Sequence, residues 1–253
     1  MSGDRLELRH RLMASFNGPL GEILHRQSFL PGLTHKRGEE MQFFRGLNDR
    51  IDVVGCRLLQ RLGSSQAEIA VETGVFLKAV PHPVGADFRG FEGLSLRCSE
   101  DCHFRKRLKP SWRAKSLLSR QVSWIVAASG RGLESALADV ARRIENTGLP
   151  WFEMFADPDA IYEAVRRRSQ PGNSLPGPWG QMYGDRLVEG FLALRVSDWA
   201  TARSDLGAVL DVANPRHLVD PEEPSRLYHR VRRTIEAALD TIRHSPAPPP
   251  PPI

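Results

Sequence analysis

The strongest pattern of apolar and polar positions lies between Met41 and Val80. Three extended runs follow one another there: Met41–Leu47, Ile51–Leu62 and Ala67–Lys78. In the third, Ile69, Val71, Thr73, Val75 and Leu77 alternate with Glu68, Ala70, Glu72, Gly74 and Phe76. A period of two makes one face apolar and the other mixed. The second run sets Ile51, Val53, Gly55 and Arg57 against Asp52, Val54, Cys56 and Leu58. Apolar residues on both sides predict a central strand covered on both faces. Asn48-Asp49 and Gly63-Ser64-Ser65 read as turns. Two short turns in succession predict an antiparallel meander, because parallel strands need a crossover of roughly a dozen residues. Val122–Ala128, with Trp124, Val126 and Ala128, predicts a fourth strand.

Helical periodicity flanks this sheet. Arg5–Phe16 and Leu20–Gln27 read as two helices interrupted at Gly18-Pro19. Between Leu133 and Thr147, apolar residues fall at i, i+3, i+4, i+7, i+8 and i+11. Gly148 is placed as the residue after that helix, and Pro150 as a stop. Trp151, Phe152, Met154 and Phe155 form an aromatic cluster expected to pin against the sheet. Asp157-Pro158 caps and opens a further helix through Arg168. Pro81–Pro110 lacks periodicity, reads as loop, and at that length suggests function. Phe29-Leu30-Pro31-Gly32 also reads as loop.

The expected fold class is therefore α+β, an antiparallel meander packed by helices over residues 1–169. Residues 170–180, rich in Pro and Gly, read as a linker. Residues 181–244 read as a small helical region, with Leu227, Val231, Ile235, Leu239 and Ile242 along one face of its last helix. The proline run of residues 245–253 reads as a disordered polyproline II tail.

Composition changes this picture in one respect. The chain of 253 residues carries +5 overall. Between Cys102 and Leu133, however, there are eight Lys or Arg and no Asp or Glu, so the remainder sums to −3. No apolar run approaches the ~18 residues that span a bilayer, and the polar N-terminus lacks a signal-peptide core. The expected compartment is the cytoplasm. Three cysteines and no secretion signal argue against a disulfide framework.

Three constellations could carry chemistry. Cys98-x3-Cys102-His103 has zinc-type ligands, but no second ligand pair accompanies it and His82 would have to fold back. A satisfied histidine beside half-buried thiols explains it as simply. A Cys102/His103 nucleophile is disfavoured, because neighbours on a strand point to opposite faces. The third is Arg105-Lys106-Arg107-Leu108-Lys109 with Trp112, Arg113, Lys115 and Arg120. Such a run can anchor an acidic protein surface, hold phosphates and stack a base, or simply be a charged edge strand that blocks aggregation. Arg166-Arg167-Arg168 ends a helix, where cations suit the dipole. No phosphate-binding glycine loop, nucleophile elbow or zinc-helix motif is present.

The order of elements over roughly residues 20–155 resembles the bacterial domain of unknown function 4304 family. The resemblance is carried by Phe43-Phe44-Arg45, by Leu58–Leu62 with Gln60, and by Val71–Leu77 with Gly74-Val75-Phe76. Cys102-His103-Phe104-Arg105 with Trp112, and Gly148–Glu153, complete it. The chain departs from the family pattern in the placing of a strand glutamine and in the insertion at Pro81–Gly93. The family has no established activity, so the resemblance implies the fold alone. Asp185–Leu210 is similar to one tetratricopeptide unit, although two amphipathic helices account for it as well.

These readings converge on a non-catalytic interaction protein, such as an immunity-type or accessory protein. It would recognise an acidic protein partner through a basic loop bearing His103, Arg105, Arg107, Trp112 and Arg113. No catalytic residue, metal, cofactor or membrane is expected. The alternative is an uncharacterised enzyme or nucleic-acid-binding protein that uses Cys102, His103 and Arg105.

Overall fold

A computed structural model describes residues 7–8, 10–14, 18–32, 40–59, 65–80, 102–111, 123–168, 181–212 and 224–244. The expected linker at 170–180, the proline tail, Gln60, most of the expected loop before Cys102, and Cys98, Trp112 and Arg113 lie outside them. The chain divides into two compact units, Met1–Leu77 with Phe88–Glu153, and Lys78–Asp87 with Met154–Ile253.

The first unit is a six-stranded antiparallel sheet with helices, an α+β arrangement. Its strands are β1 (Leu30–Pro31), β2 (Glu40–Gly46), β3 (Arg50–Leu59), β4 (Gln66–Leu77), β5 (Phe104–Leu108) and β6 (Trp124–Ala127). The order is β1-β2-β3-β4-β5, and β6 also pairs with β4. The predicted meander is β2-β3-β4, with ends within a few residues of those expected. Leu47 N–H donates to Arg50 O across the Asn48-Asp49 turn. Every β3 residue from Arg50 to Cys56 is buried, as apolar residues on both sides required.

Helix α1 (Pro19–Arg26) starts on Pro19 and buries Leu20 and Leu24. Helix α2 (Leu133–Arg143) buries Leu133, Ala136, Leu137 and Val140. The expected stop after it is corrected. The chain winds through a π turn, Ile144–Gly148, straight into α3 (Leu149–Glu153). Gly148 is there for close approach rather than as a cap. A Cβ on it would meet Leu108 Cδ1 and Thr73 Cγ2 at 3.3 Å. Pro150 continues that winding as the second residue of α3, and its missing N–H leaves the helical ladder one hydrogen bond short there. Trp151 and Phe152 are buried as expected, but Met154 of that cluster is exposed.

One segment expected as loop is a strand, and so is the basic run, for which a charged edge strand was one of the readings. Leu30–Pro31 pairs with Phe43 and Phe44 as a two-residue edge strand, a position that tolerates proline. Phe104–Leu108 pairs with Val71–Val75. Its only apolar residues are Phe104 and Leu108, with three cations between them, so it has no alternation to read. Pairing with β4 makes it a strand.

The second unit contains α4 (Pro158–Arg168), α5 (Gln181–Arg195), α6 (Trp199–Val212) and α7 (Pro224–His244). Consecutive helices pack as neighbours. Asp157 caps α4 as predicted, its Oδ1 accepting from Asp159 N–H at 3.1 Å. Asp198 does the same for α6, accepting from Thr201 N–H and Oγ1, and also takes the Tyr162 hydroxyl at 2.7 Å. Burial, with the Asp198 carboxylate alongside, pushes the Tyr162 phenol up to about 12. Of the face predicted for α7, Ile235 and Ile242 are buried.

The α5–α6 hairpin closes around Gly190. A Cβ there would sit 2.7 Å from Leu206 Cδ2 and 2.8 Å from Leu206 Cγ, and Leu206 is fully buried. Gly190→Ala should therefore destabilise the hairpin by about 1–2 kcal/mol, overpacking outweighing alanine's better helix propensity. A lowered urea midpoint is the expected reading. An unchanged or raised midpoint would show that the two helices separate without cost.

Candidate functional site: the basic outer row of the sheet

Strand β4 is long enough to carry two strands along one edge. β5 lies against Val71–Val75 and β6 against Gln66–Ile69. They run in the same direction, so they are two halves of one outer row. The chain leaves that row after Leu108 and rejoins it at Trp124. The excursion includes Trp112, Arg113, Lys115 and Arg120 in sequence.

The register separates the cations of β5. Arg105 sits opposite Gly74 and Arg107 opposite Glu72, on one face. Lys106 is on the other, opposite Thr73, whose Oγ1 donates to Lys106 O at 3.3 Å. All three are half-buried. Glu72 also pairs with Arg57 of β3, Nη2 to Oε1 at 3.1 Å. Among the described residues, the buried Arg107 Nε has no hydrogen-bond partner. Arg105 and Arg107 are therefore part of the sheet's own packing as well as candidates for binding.

His103 is buried. Its Nδ1 accepts the Leu77 N–H at 2.9 Å, and its ring lies 4.8 Å from that of Phe76. An Nδ1 that accepts from an amide places the neutral ring's proton on Nε2. That role, fixing the start of β5 to the end of β4, is structural. Cys102 is fully buried in an apolar cluster with Phe44, Ile51, Val53 and Phe76. No three His, Cys, Asp or Glu side chains come together as a metal site among the described residues.

The residues that hold the excursion were not singled out from sequence. Asp139 of α2 is 2% exposed. Its Oδ2 accepts Ser111 N–H at 2.9 Å and Trp124 Nε1–H at 2.8 Å. Those donors stand just after the excursion begins and where it ends. Next to it, Arg143 Nε donates to Lys109 O at 2.9 Å, and Arg142 Nη2 reaches Asp139 Oδ1 at 3.4 Å. Burial on its own would raise the Asp139 carboxyl. The Ser111 and Trp124 hydrogen bonds, helped by Arg142, outweigh it and hold the group below its ordinary 3.8. The last turn of α2 thus brings Arg142 and Arg143 to the root of the basic segment. As two adjacent cations inside the predicted helix they gave no separate sequence signal.

The chain matches no protein-family model, no curated protein and no solved structure. Among the described residues, no helix is long and apolar enough to cross a membrane.

Proposed function

We propose that this is a non-catalytic interaction protein that docks an acidic protein surface at the basic outer row of the sheet. The observation that carries this reading is the double anchorage of the excursion by Asp139 and Arg143. A segment of like charge would be expected to repel itself and remain loose. Here both its ends are fixed to a helix whose last turn adds two more cations. Fixing the ends lowers the entropy lost when a partner binds. Likeness to domain of unknown function 4304 in element order is part of the same proposal and supplies no activity of its own.

The structure also selects the substitutions for a test. Arg107 stands opposite Glu72, so reversing its charge would disturb the sheet as well as any interface. Lys109 is exposed and enters the anchorage only through its backbone oxygen, so it avoids that ambiguity, whereas Arg142 also supports Asp139. An acidic peptide and a single-stranded DNA of equal charge should be titrated in parallel at several salt concentrations. The peptide is expected to bind more tightly, and Lys109→Glu to weaken it about threefold or more, or ~0.7 kcal/mol. Tighter DNA binding with a steep salt slope would overturn the acidic-protein reading in favour of nucleic acid.

A further inference from the structure

On the helical side of the sheet unit lies a second feature that the basic row does not explain. A groove of about 470 Å³ runs between α1, the π turn and α3, with Arg45 of β2 among its lining residues. That volume suits a small ligand. Arg45 is rigidly held. Its Nε and Nη2 donate to Asp52 Oδ2 at 3.1 and 2.7 Å. Its guanidinium lies 4.8 Å from the Phe29 ring centroid and 5.6 Å from that of Phe152. Among the described residues its Nη1 makes no hydrogen bond.

Charge makes that nitrogen informative. Asp52 is wholly buried and also takes Arg50 Nε at 2.9 Å. One carboxylate therefore faces two guanidiniums, and one positive charge is left over at the floor of the groove. An anionic group on Nη1 would balance it. The rim has the opposite character: Glu153 and Glu145 line it, and Glu145 meets exposed Arg26 only at 3.9 Å. Between floor and rim lie Ile23, Leu149 and Pro150, an apolar wall. Glu145 of the rim belongs to the π turn, a rare local geometry that recurs at functional sites, and Leu149 and Pro150 come next in the chain.

We infer that this groove binds a small zwitterion with an apolar side chain, of the amino-acid class. The carboxylate sits on Arg45 Nη1, the ammonium toward Glu153 and Glu145, and the side chain against Ile23, Leu149 and Pro150. This site is independent of the proposed protein interface.

Calorimetric titration of the full chain with L-leucine tests it. One-to-one binding is expected with Kd near or below ~1 mM. N-acetyl-L-leucine, which lacks the ammonium, and L-leucinamide, which lacks the carboxylate, should each bind about tenfold more weakly. Arg45→Gln should abolish binding. Because Arg45 is also structural, Glu153→Gln at an exposed position is the second variant. It should bring leucine and N-acetyl-leucine to within about threefold of one another. No heat with leucine at about 20 mM, or equal affinity for the three compounds, would overturn the inference. So would a Glu153→Gln chain that keeps the full preference. A leucine-terminated tripeptide that binds more tightly than leucine would make the occupant a chain end and defeat the zwitterion.

Discussion

Asp52→Ala should lower the stability of the sheet unit by about 3–5 kcal/mol, the largest effect expected of any substitution considered for this protein. Asp52 sits opposite Arg45 in the β2–β3 register, its side chain fully buried. Arg45 and Arg50 converge on it, 14% and 4% exposed at the side chain. Arg50 has one further partner, Phe152 O at 3.2 Å. Removing the carboxylate leaves two guanidiniums in a low-dielectric site with nothing negative beside them. A domain stable by about 5–15 kcal/mol has little margin for that. Urea unfolding followed by far-ultraviolet circular dichroism measures the loss. If unpaired charge is the cause, replacing all three members by apolar residues (Arg45→Met, Arg50→Met and Asp52→Leu) should be less damaging than Asp52→Ala alone. A triple variant at least as unstable as the single one would show that packing around the network, and not desolvation of charge, sets its energy.

The framework of this network was legible in the sequence, and its logic was not. Ile51 to Leu58 carries apolar residues at both parities, which put β3 in the middle of the sheet. Asp52 on an otherwise apolar face was visible in the same pattern. Its partners were not, because Arg45 belongs to another strand and the pairing depends on register. The same distinction holds elsewhere. Periodicity found the core face of α2, since Leu133, Leu137 and Val140 are a local property of the chain. It did not find the π turn after it. Gly148 followed by Pro150 has the local signature of a helix end, and only the closeness of Leu108 and Thr73 explains a glycine that continues winding. β5 was only one reading among several for a related reason. Three consecutive cations carry no strand signal, and the strand forms because β4 offers a hydrogen-bonding edge.

The candidate site divides along the same line. Arg105 and Arg107 were found because charge clustering is one-dimensional. Their division from Lys106, and the structural role of His103, are properties of pairing with β4. Asp139 is separated from Ser111 by 28 residues and from Trp124 by 15. Nothing local marks an acid on a helix flank as the group that ties two such distant points together.

That tie gives the second large effect. Asp139→Asn should destabilise the sheet unit by about 2–3 kcal/mol at neutral pH, because hydrogen bonds to a charged acceptor are each worth about 1.5–3 kcal/mol and an amide replaces them only in part. Its pH dependence separates it from an ordinary packing defect. The folded carboxyl lies below its ordinary 3.8. Its contribution is therefore fully present above the unfolded value and is lost as pH falls through the folded one. The difference between wild type and Asp139→Asn should be constant from pH 7 to about 5 and shrink steadily below about pH 4. Urea midpoints across that range test the sign, and a difference that stays flat down to pH 3 would mean the carboxylate's charge is not what matters. A local readout accompanies it. The Trp124 indole N–H resonance should move in the variant, since Nε1 donates to the substituted group at 2.8 Å. If the anchorage also prepares the basic excursion for an acidic partner, the variant should bind the acidic peptide more weakly at pH 7, even where it is fully folded. Unchanged affinity in a folded variant would separate the stability of this clasp from recognition, and leave the exposed cations Lys109 and Arg142 to account for binding by themselves.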